Sequence, residues 1–390
     1  MNDKLLATYD AQLEQLKQQN NHRHFRQIAH QGRHIVLPDG KKLLNLASND
    51  YLGVAGNADW QQEFLATWQA DLPFGSSSSR LLTGNFESFE RLEWRLSQAF
   101  GRSCLLFNSG YHANVGIIPA ICDGRTMILA DKLVHASMID GIRLSAAKCV
   151  RYAHQDFEQL ARLVERYQDD EMIDRIIIMT ESIFSMDGDI TDLPALVALK
   201  QSHDKVMLYV DEAHAIGTHG DGLGCAVAFG VAGQIDWLVG AFGKAIGSVG
   251  AFVICHQLMR DFLINKVRPL IFSTALPPIN VAWTDFVFAR LATLDAPRQR
   301  LATLSAKLRE HIGNLGLACP SSSHIVPIIV GQNERVLQLA DELQQQGLFV
   351  LAVRPPTVPA GQARLRLCLN ASIDDGEFAQ LTNALMGIKI

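Results

Sequence analysis

Apolar residues recur along the chain in two rhythms. Over residues 3–20, Leu6, Tyr9, Leu13 and Leu16 stand at helical spacing among polar neighbours, which predicts an amphipathic helix. The segment HIVLPDGKKLLNL follows, and its Pro38-Asp39-Gly40 is turn chemistry that predicts a hairpin. From about residue 85 short β-rich runs alternate with helical stretches. CLLF, TMILA, CVRYA, RIIIMTE, VMLYVDE, WLVGAF and AFVIC are the predicted strands; ANVGIIPAIC, DFEQLARLVERY and LPALVALKQSH are predicted helices between them. Strands apolar on both faces and spaced by helices predict an α/β domain, a mostly parallel central sheet with helices on both faces. The ligand site of such a sheet lies beyond the carboxyl ends of its strands. After Pro277-Pro278 a helical region runs to about residue 315, and the tail returns to IVPIIVG, a helix around ERVLQLADELQQQG, the strands LFVLAV and RLRLCL, and a last helix. That tail predicts a smaller α+β domain. The predicted organisation is a helix-and-hairpin arm over 1–50, a large α/β domain over 51–283 and a small C-terminal domain over 284–390.

Composition narrows the function classes. With 48% hydrophobic residues in 390, the chain has material for a large core. Net charge is −5, and no segment gathers the Lys/Arg density that phosphate-backbone binding needs, so nucleic acid is a poor partner. Seven scattered cysteines without a C-x-x-C pair predict reduced, mostly buried thiols, and neither a disulfide frame nor a metal site. MNDKLLATYDAQLEQ lacks the apolar core of a secretory leader, and no run of eighteen apolar residues occurs; a cytoplasmic protein is expected.

Three features carry chemistry, each closing a predicted strand. The first is NSGYHAN at 108–114, whose small residues at a helix start could present N–H groups to a phosphate. The second is Asp211-Glu212-Ala213-His214 after VMLYV. A carboxylate there could face a cationic ring nitrogen, or simply cap the next turn. The same D-E-A-H string is a Mg²⁺-binding signature of helicases, but that reading requires an upstream G-x-x-x-x-G-K-[ST] loop, which the sequence lacks. The third is Lys244 in WLVGAFGKAIGSVGAFVI. An exposed turn lysine is the plain reading; between two apolar runs, though, a charged amine is costly to bury, and a neutral one is a nucleophile able to form an imine with an aldehyde cofactor. Gly240, Gly243, Gly247 and Gly250 would let the backbone pass close to a bulky ligand.

Phosphate turn, Asp and Lys in that order resemble pyridoxal-phosphate enzymes of the aspartate-aminotransferase-like fold, fold type I. The chain is similar over nearly its whole length to the α-oxoamine synthases, through SNDYLG (48–53), SSSSRLLTG (76–84), FNSGYHAN (107–114), HASMIDG (135–141), ESIFSMDGD (181–189), VDEAH (210–214), AFGKAIGSVGA (241–251), FSTALPP (272–278) and VRPPTVPAGQARLRL (353–367). The resemblance implies pyridoxal 5′-phosphate as cofactor and Lys244, His135 and Asp211 as catalytic residues. It implies Lys244 as the Schiff-base lysine, Asp211 at the pyridine nitrogen, His135 stacked on the ring, and His214 and Ser185 near the phenolic oxygen. It assigns Gly110 and Tyr111 to the phosphate, together with Ser273 and Thr274 across a homodimer interface. Asn49 and Arg366 would take the amino-acid carboxylate, and Arg23 and Thr357 would lie near the acyl substrate. Arg364 and Arg366 alternate in one strand, and if they point to opposite faces one of them is merely solvated. The PPTVPAG string tilts the implied reaction to decarboxylative condensation of L-alanine with a pimeloyl thioester, on coenzyme A or a carrier protein, in biotin biosynthesis. Alternatives are a sister synthase using glycine, serine or a threonine-derived amino acid with another acyl-CoA, an aminotransferase or lyase on the same fold, and a catalytically silent binding protein. Two positions depart from the family: Ala241 stands where a hydroxyl residue usually contacts the phosphate, and Gly75-Ser76-Ser77-Ser78-Ser79-Arg80 has serines where glycines are favoured.

Overall fold

The computed structural model describes residues 2–68 and 73–389. It contains two compact units, one of Met1–Gly56, Met186–Asp189 and Gln299–Ile390, the other of Asn57–Ser185 and Ile190–Arg298. The first unit begins with a helix, Asp3–Gln18, whose apolar Leu6, Tyr9, Leu13 and Leu16 are exposed in the single chain. Strands β1 (Ala29–Gln31), β2 (His34–Val36) and β3 (Lys42–Asn45) follow as an antiparallel meander. The β2–β3 turn is the one expected at Pro38-Asp39-Gly40: Asp39 accepts from the Lys41 N–H at 3.0 Å, and Gly40 takes φ +83°, a region that favours glycine.

The larger unit holds seven strands: β4 (Ser103–Phe107), β5 (Thr126–Asp131), β6 (Lys148–Tyr152), β7 (Arg175–Glu181), β8 (Val206–Asp211), β9 (Trp237–Ala241) and β10 (Ala251–Cys255). They match the seven predicted runs. Their order is β4-β10-β9-β8-β7-β5-β6, parallel except for β10, which is antiparallel to both neighbours. All strands but β10 therefore end on the same edge. The core lies against the sheet and includes Leu105, Ile117, Ile128, Ile177, Tyr209, Val239 and Val253, all buried. Helices Gly110–Ile121 and Ala136–Leu144 approach closely where Gly141 lacks a side chain: a Cβ there would lie 2.6 Å from the Asn114 carbonyl oxygen. That close crossing sets the residues at the start of each helix beside one another.

The first unit is completed by β11 (Ile325–Gly331), β12 (Leu348–Phe349), β13 (Leu351–Val353) and β14 (Ala363–Cys368). β14 lies between β11 and β13, antiparallel to both, and β12 pairs in parallel with β3. The last pairing explains why residues 1–56 cluster with the C-terminal segment instead of forming a separate arm. The helical region after Pro277 is also divided: the boundary falls at Arg298, beyond the expected 283. Helix Pro278–Phe288 stays with the larger unit because Asp285 accepts from Arg91 at 2.9 Å and Arg95 at 2.6 Å on helix Glu87–Phe100. Of the seven free cysteines five are buried, Cys319 is half-buried and Cys149 is exposed. Among the described residues no helix is long and apolar enough to cross a membrane.

Candidate active site

Four strand ends of the larger unit, those of β4, β5, β8 and β9, carry expected residues. At the end of β4, Ser109 caps helix Gly110–Ile121 by accepting from the His112 N–H at 3.2 Å. Gly110 and Tyr111 occupy the first helical positions, where N–H groups have no intrahelical acceptor and the helix dipole favours an anion. A Cβ on Gly110 would stand 3.7 Å from the Ala241 Cβ, so Ala241 faces this helix start. The Tyr111 ring is half exposed and its hydroxyl donates to Asp140.

After β5, His135 caps helix Ala136–Leu144 with its ring: the Ser137 N–H donates to Nδ1 at 3.2 Å. Burial pushes the imidazole below its ordinary pKa, opposed by Asp211 and assisted by the Lys244 ammonium, so His135 is neutral at pH 7. At the end of β8, Asp211 is 6% exposed and accepts from Ala213 N–H at 2.9 Å and Asn114 Nδ2 at 2.8 Å. It thus makes a local capping bond and still has a carboxylate at the buried strand end. His214 is buried in the turn beyond it. Lys244 is half-buried in the β9–β10 loop and lies within electrostatic reach of His135 and Glu181. Two of the neighbouring glycines have a local structural reason of their own. A Cβ on Gly240 would meet the Phe252 ring at 2.3 Å, and Gly250 takes φ +113°.

Sequence reasoning missed four residues that the fold brings to this edge: Glu181, Asn114, Ser137 and Tyr209. Glu181 pairs across the β7–β8 register with Asp211 and accepts the backbone N–H groups of His135 and Ser185. Burial, and then the Asp211 charge, holds its carboxyl well above the usual range. All four lie in or beside the quoted strings, but only their burial marks them as part of the site. Ser273 and Thr274 follow the short helix Arg268–Phe272, and the Thr274 carbonyl accepts from Asn108 Nδ2 at 2.7 Å in the same chain.

The serine-rich string is tied to the segment that follows Thr274. Ser76 donates to the Leu276 carbonyl, and Ser77 sits at φ +51° where the family favours glycine. A residue with a side chain pays roughly 1–2 kcal/mol for that conformation.

In the other unit the structure brings Asn49 and Arg366 together: both terminal guanidinium nitrogens donate to Asn49 Oδ1 at 3.2 Å, and the buried Tyr51 hydroxyl donates to the same oxygen at 3.0 Å. Residues two apart share a strand face, so Arg364 and Arg366 do not split between faces, and neither is solvated. Arg364 is 2% exposed and pairs with Asp187 at 2.7 Å. Arg23 and Thr357 also meet, Nη2 donating to Oγ1 at 3.2 Å, both exposed.

Residues 41–385 match the model of the aminotransferase class I and II family. A protein of Pasteurella multocida named "Putative 8-amino-7-oxononanoate synthase" is 54% identical over 385 residues, covering 98% of this chain and 99% of its own. A Haemophilus influenzae protein of the same name is 52% identical over 378 residues, covering 96% and 99%. Among solved structures, a serine palmitoyltransferase from S. paucimobilis superposes with TM-score 0.88 at 28% identity, covering 98% of this chain and 97% of the other. An 8-amino-7-oxononanoate synthase from Francisella tularensis superposes with TM-score 0.74 at 28% identity, covering 88% and 96%. The chain belongs to the aminotransferase class I and II family, in its α-oxoamine synthase branch, with the fold type I architecture. The family's cofactor is pyridoxal 5′-phosphate, and the larger unit fits it. A helix N-terminus suits the phosphate, a buried carboxylate suits a protonated ring nitrogen, a neutral imidazole suits the ring face, and a half-buried lysine suits the aldehyde.

Proposed function

We propose that the protein condenses L-alanine with a pimeloyl thioester, releasing CO₂ and the free thiol and giving 8-amino-7-oxononanoate for biotin biosynthesis. The gathering of Lys244, His135 and Asp211 at one sheet edge carries this reading, and the 54% identity to a protein of that name supports the substrates. When bound, pyridoxal phosphate supplies an electron sink for charge developing at the amino-acid Cα. Lys244 Nζ would hold the cofactor through its aldehyde, and the same nitrogen, when free, would be the base that takes a proton from the amino-acid Cα and returns one. Asp211 would keep the ring nitrogen protonated, His135 would serve the ring face, and His214 and Ser185 would serve the phenolic oxygen. Gly110 and Tyr111 hold the phosphate. Arg366 and Asn49 take the amino-acid carboxylate, a task suited to a guanidinium already oriented by neutral partners. Arg23 and Thr357 serve the acyl substrate.

Mass spectrometry of products tests the proposal, with alanine, glycine and serine each offered pimeloyl-CoA, pimeloyl carrier protein and longer acyl-CoAs. The alanine–pimeloyl product is expected. Product only from another amino acid or acyl chain identifies a sister synthase, and an α-keto acid without thioester use identifies an aminotransferase.

Ser273 and Thr274 complete the phosphate site of a second copy in this proposal, so a homodimer is the working unit. Mixing Lys244→Ala chains with Ser273→Ala/Thr274→Ala chains then creates mixed dimers with one intact site, and activity rises above either parent. The Asn108–Thr274 contact leaves the alternative that both residues serve their own chain's site, in which case mixtures never exceed the parents.

Ala241 faces the helix start but offers no hydroxyl. Ala241→Thr is expected to slow cofactor loss on dialysis by about tenfold, the effect of one hydrogen bond to a charged group, with turnover little changed. The position is only 6% exposed, so equal or faster loss would mean that threonine overpacks the site.

A further inference from the structure

Behind the site residues lies a hydrogen-bonded chain whose direction is fixed by chemistry. Tyr209, Asn114 and Ser137 are each at most 1% exposed. Asn114 Nδ2 stands 2.8 Å from Asp211 Oδ2 and 2.9 Å from Ser137 Oγ; Asn114 Oδ1 stands 2.7 Å from the Tyr209 hydroxyl. A carboxylate only accepts, so the amide nitrogen must face Asp211, and the amide oxygen then accepts from Tyr209. Ser137 Oγ accepts one amide hydrogen and directs its own proton to His135 Nδ1, 2.7 Å away. The Ser137 backbone N–H, which can only donate, points at the same nitrogen at 3.2 Å. Both donors require Nδ1 to be an acceptor.

We infer that Asn114 is a positioning residue for both ring-contacting groups: its amide orients the Asp211 carboxylate and, through the Ser137 hydroxyl, keeps the His135 imidazole as the tautomer protonated on Nε2. The inference rests on the assignment of Asp211 and His135 to the cofactor ring but not on the identity of either substrate. It gives the site one amide with two outputs, an anchored carboxylate and a neutral imidazole whose remaining N–H is a donor.

The test uses holoenzyme without substrate, so an error in the proposed reaction leaves it untouched. ¹⁵N NMR of histidine-labelled enzyme reads the His135 tautomer and titration, with His135→Gln assigning the signal. The groups facing this ring are Asp211, Lys244 and Asp140, with Glu181 bonded to its backbone, and the variants below keep all of them. The native enzyme should show the neutral form protonated on Nε2 at pH 7. Ser137→Ala and Asn114→Leu should each raise the titration midpoint by about one unit, because each removes or frees a donor that favours the neutral ring. Cofactor affinity should separate them. Asn114→Leu weakens it by about ten- to a hundredfold through loss of a bond to a charged group, whereas Ser137→Ala changes it by less than threefold. A native ring protonated on Nδ1, unchanged midpoints, or equal affinity losses in the two variants would overturn the inference. If Asn114→Leu fails to fold, Asn114→Ala takes its place in both measurements, and an unchanged midpoint and affinity in that variant would overturn the inference.

Discussion

Lys244→Ala is expected to lose turnover by roughly 10⁴-fold or more, since one change removes both the nucleophile that holds the cofactor and the positioned base. The fold should survive. Lys244 is half-buried in the loop between β9 and β10, and its main-chain role, accepting the Gly247 N–H at 2.8 Å, is independent of the side chain. The variant keeps the helix N-terminus and Asp211, so it should still take up pyridoxal phosphate, more weakly. The companion measurement is borohydride reduction of the native protein followed by peptide mapping. Reduction converts an imine to a stable amine, and the cofactor should appear on one peptide containing Lys244. Label on a different lysine would move the site, and near-native turnover in Lys244→Ala would remove it. The lysine's surroundings are consistent with this dual use: its charge is felt by His135 and by the raised carboxyl of Glu181.

The strands of the larger unit were legible because a sheet covered on both faces leaves no polar period to confuse: TMILA and VMLYV become fully or almost fully buried strands. The residues at strand ends were legible for a related reason, since Asp211 and Lys244 interrupt long apolar runs. Pairing between distant segments was not. Nothing in KKLLNL says that Leu44 lies beside Leu348, and that one parallel pairing decides which unit the N-terminal residues join. Arg364 and Arg366 show the same limit. The sequence left open that one of the two arginines is merely solvated, yet every residue of β14 is buried, because Asp187 and Asn49 arrive from elsewhere in the chain to satisfy the two guanidiniums. Asn114 looked like an ordinary helical residue after a phosphate-binding turn. Its partners Asp211, Tyr209 and Ser137 come from β8 and from another helix, and only the close crossing at Gly141 reveals them.

Asp211→Asn should reduce α-proton exchange by about 10²–10³-fold, the scale of removing one preorganised electrostatic group from a site. The neutral amide no longer stabilises a protonated ring nitrogen, so charge at Cα has no sink. Exchange is read by the loss of the alanine α-proton signal in D₂O, without acyl substrate. The hydrogen bonds around Asp211 add a second expected effect. Two donors converge on its carboxylate, Asn114 Nδ2 on one oxygen and the Ala213 N–H on the other. An asparagine offers one oxygen, so one of these buried donors must face an NH₂ group and go unsatisfied, at about 1–3 kcal/mol. The variant should therefore unfold more readily as well as exchange more slowly. Combining Asp211→Asn with Asn114→Asp restores an acceptor opposite a donor, and should recover much of the stability while the exchange rate stays low. Stability regained without exchange shows that the loss does not come from destabilisation, and the single Asp211→Asn variant, which keeps Asn114, assigns it to the missing charge at residue 211. Near-normal exchange in Asp211→Asn, or recovery of exchange together with stability in the double variant, would mean that the ring nitrogen does not depend on this carboxylate.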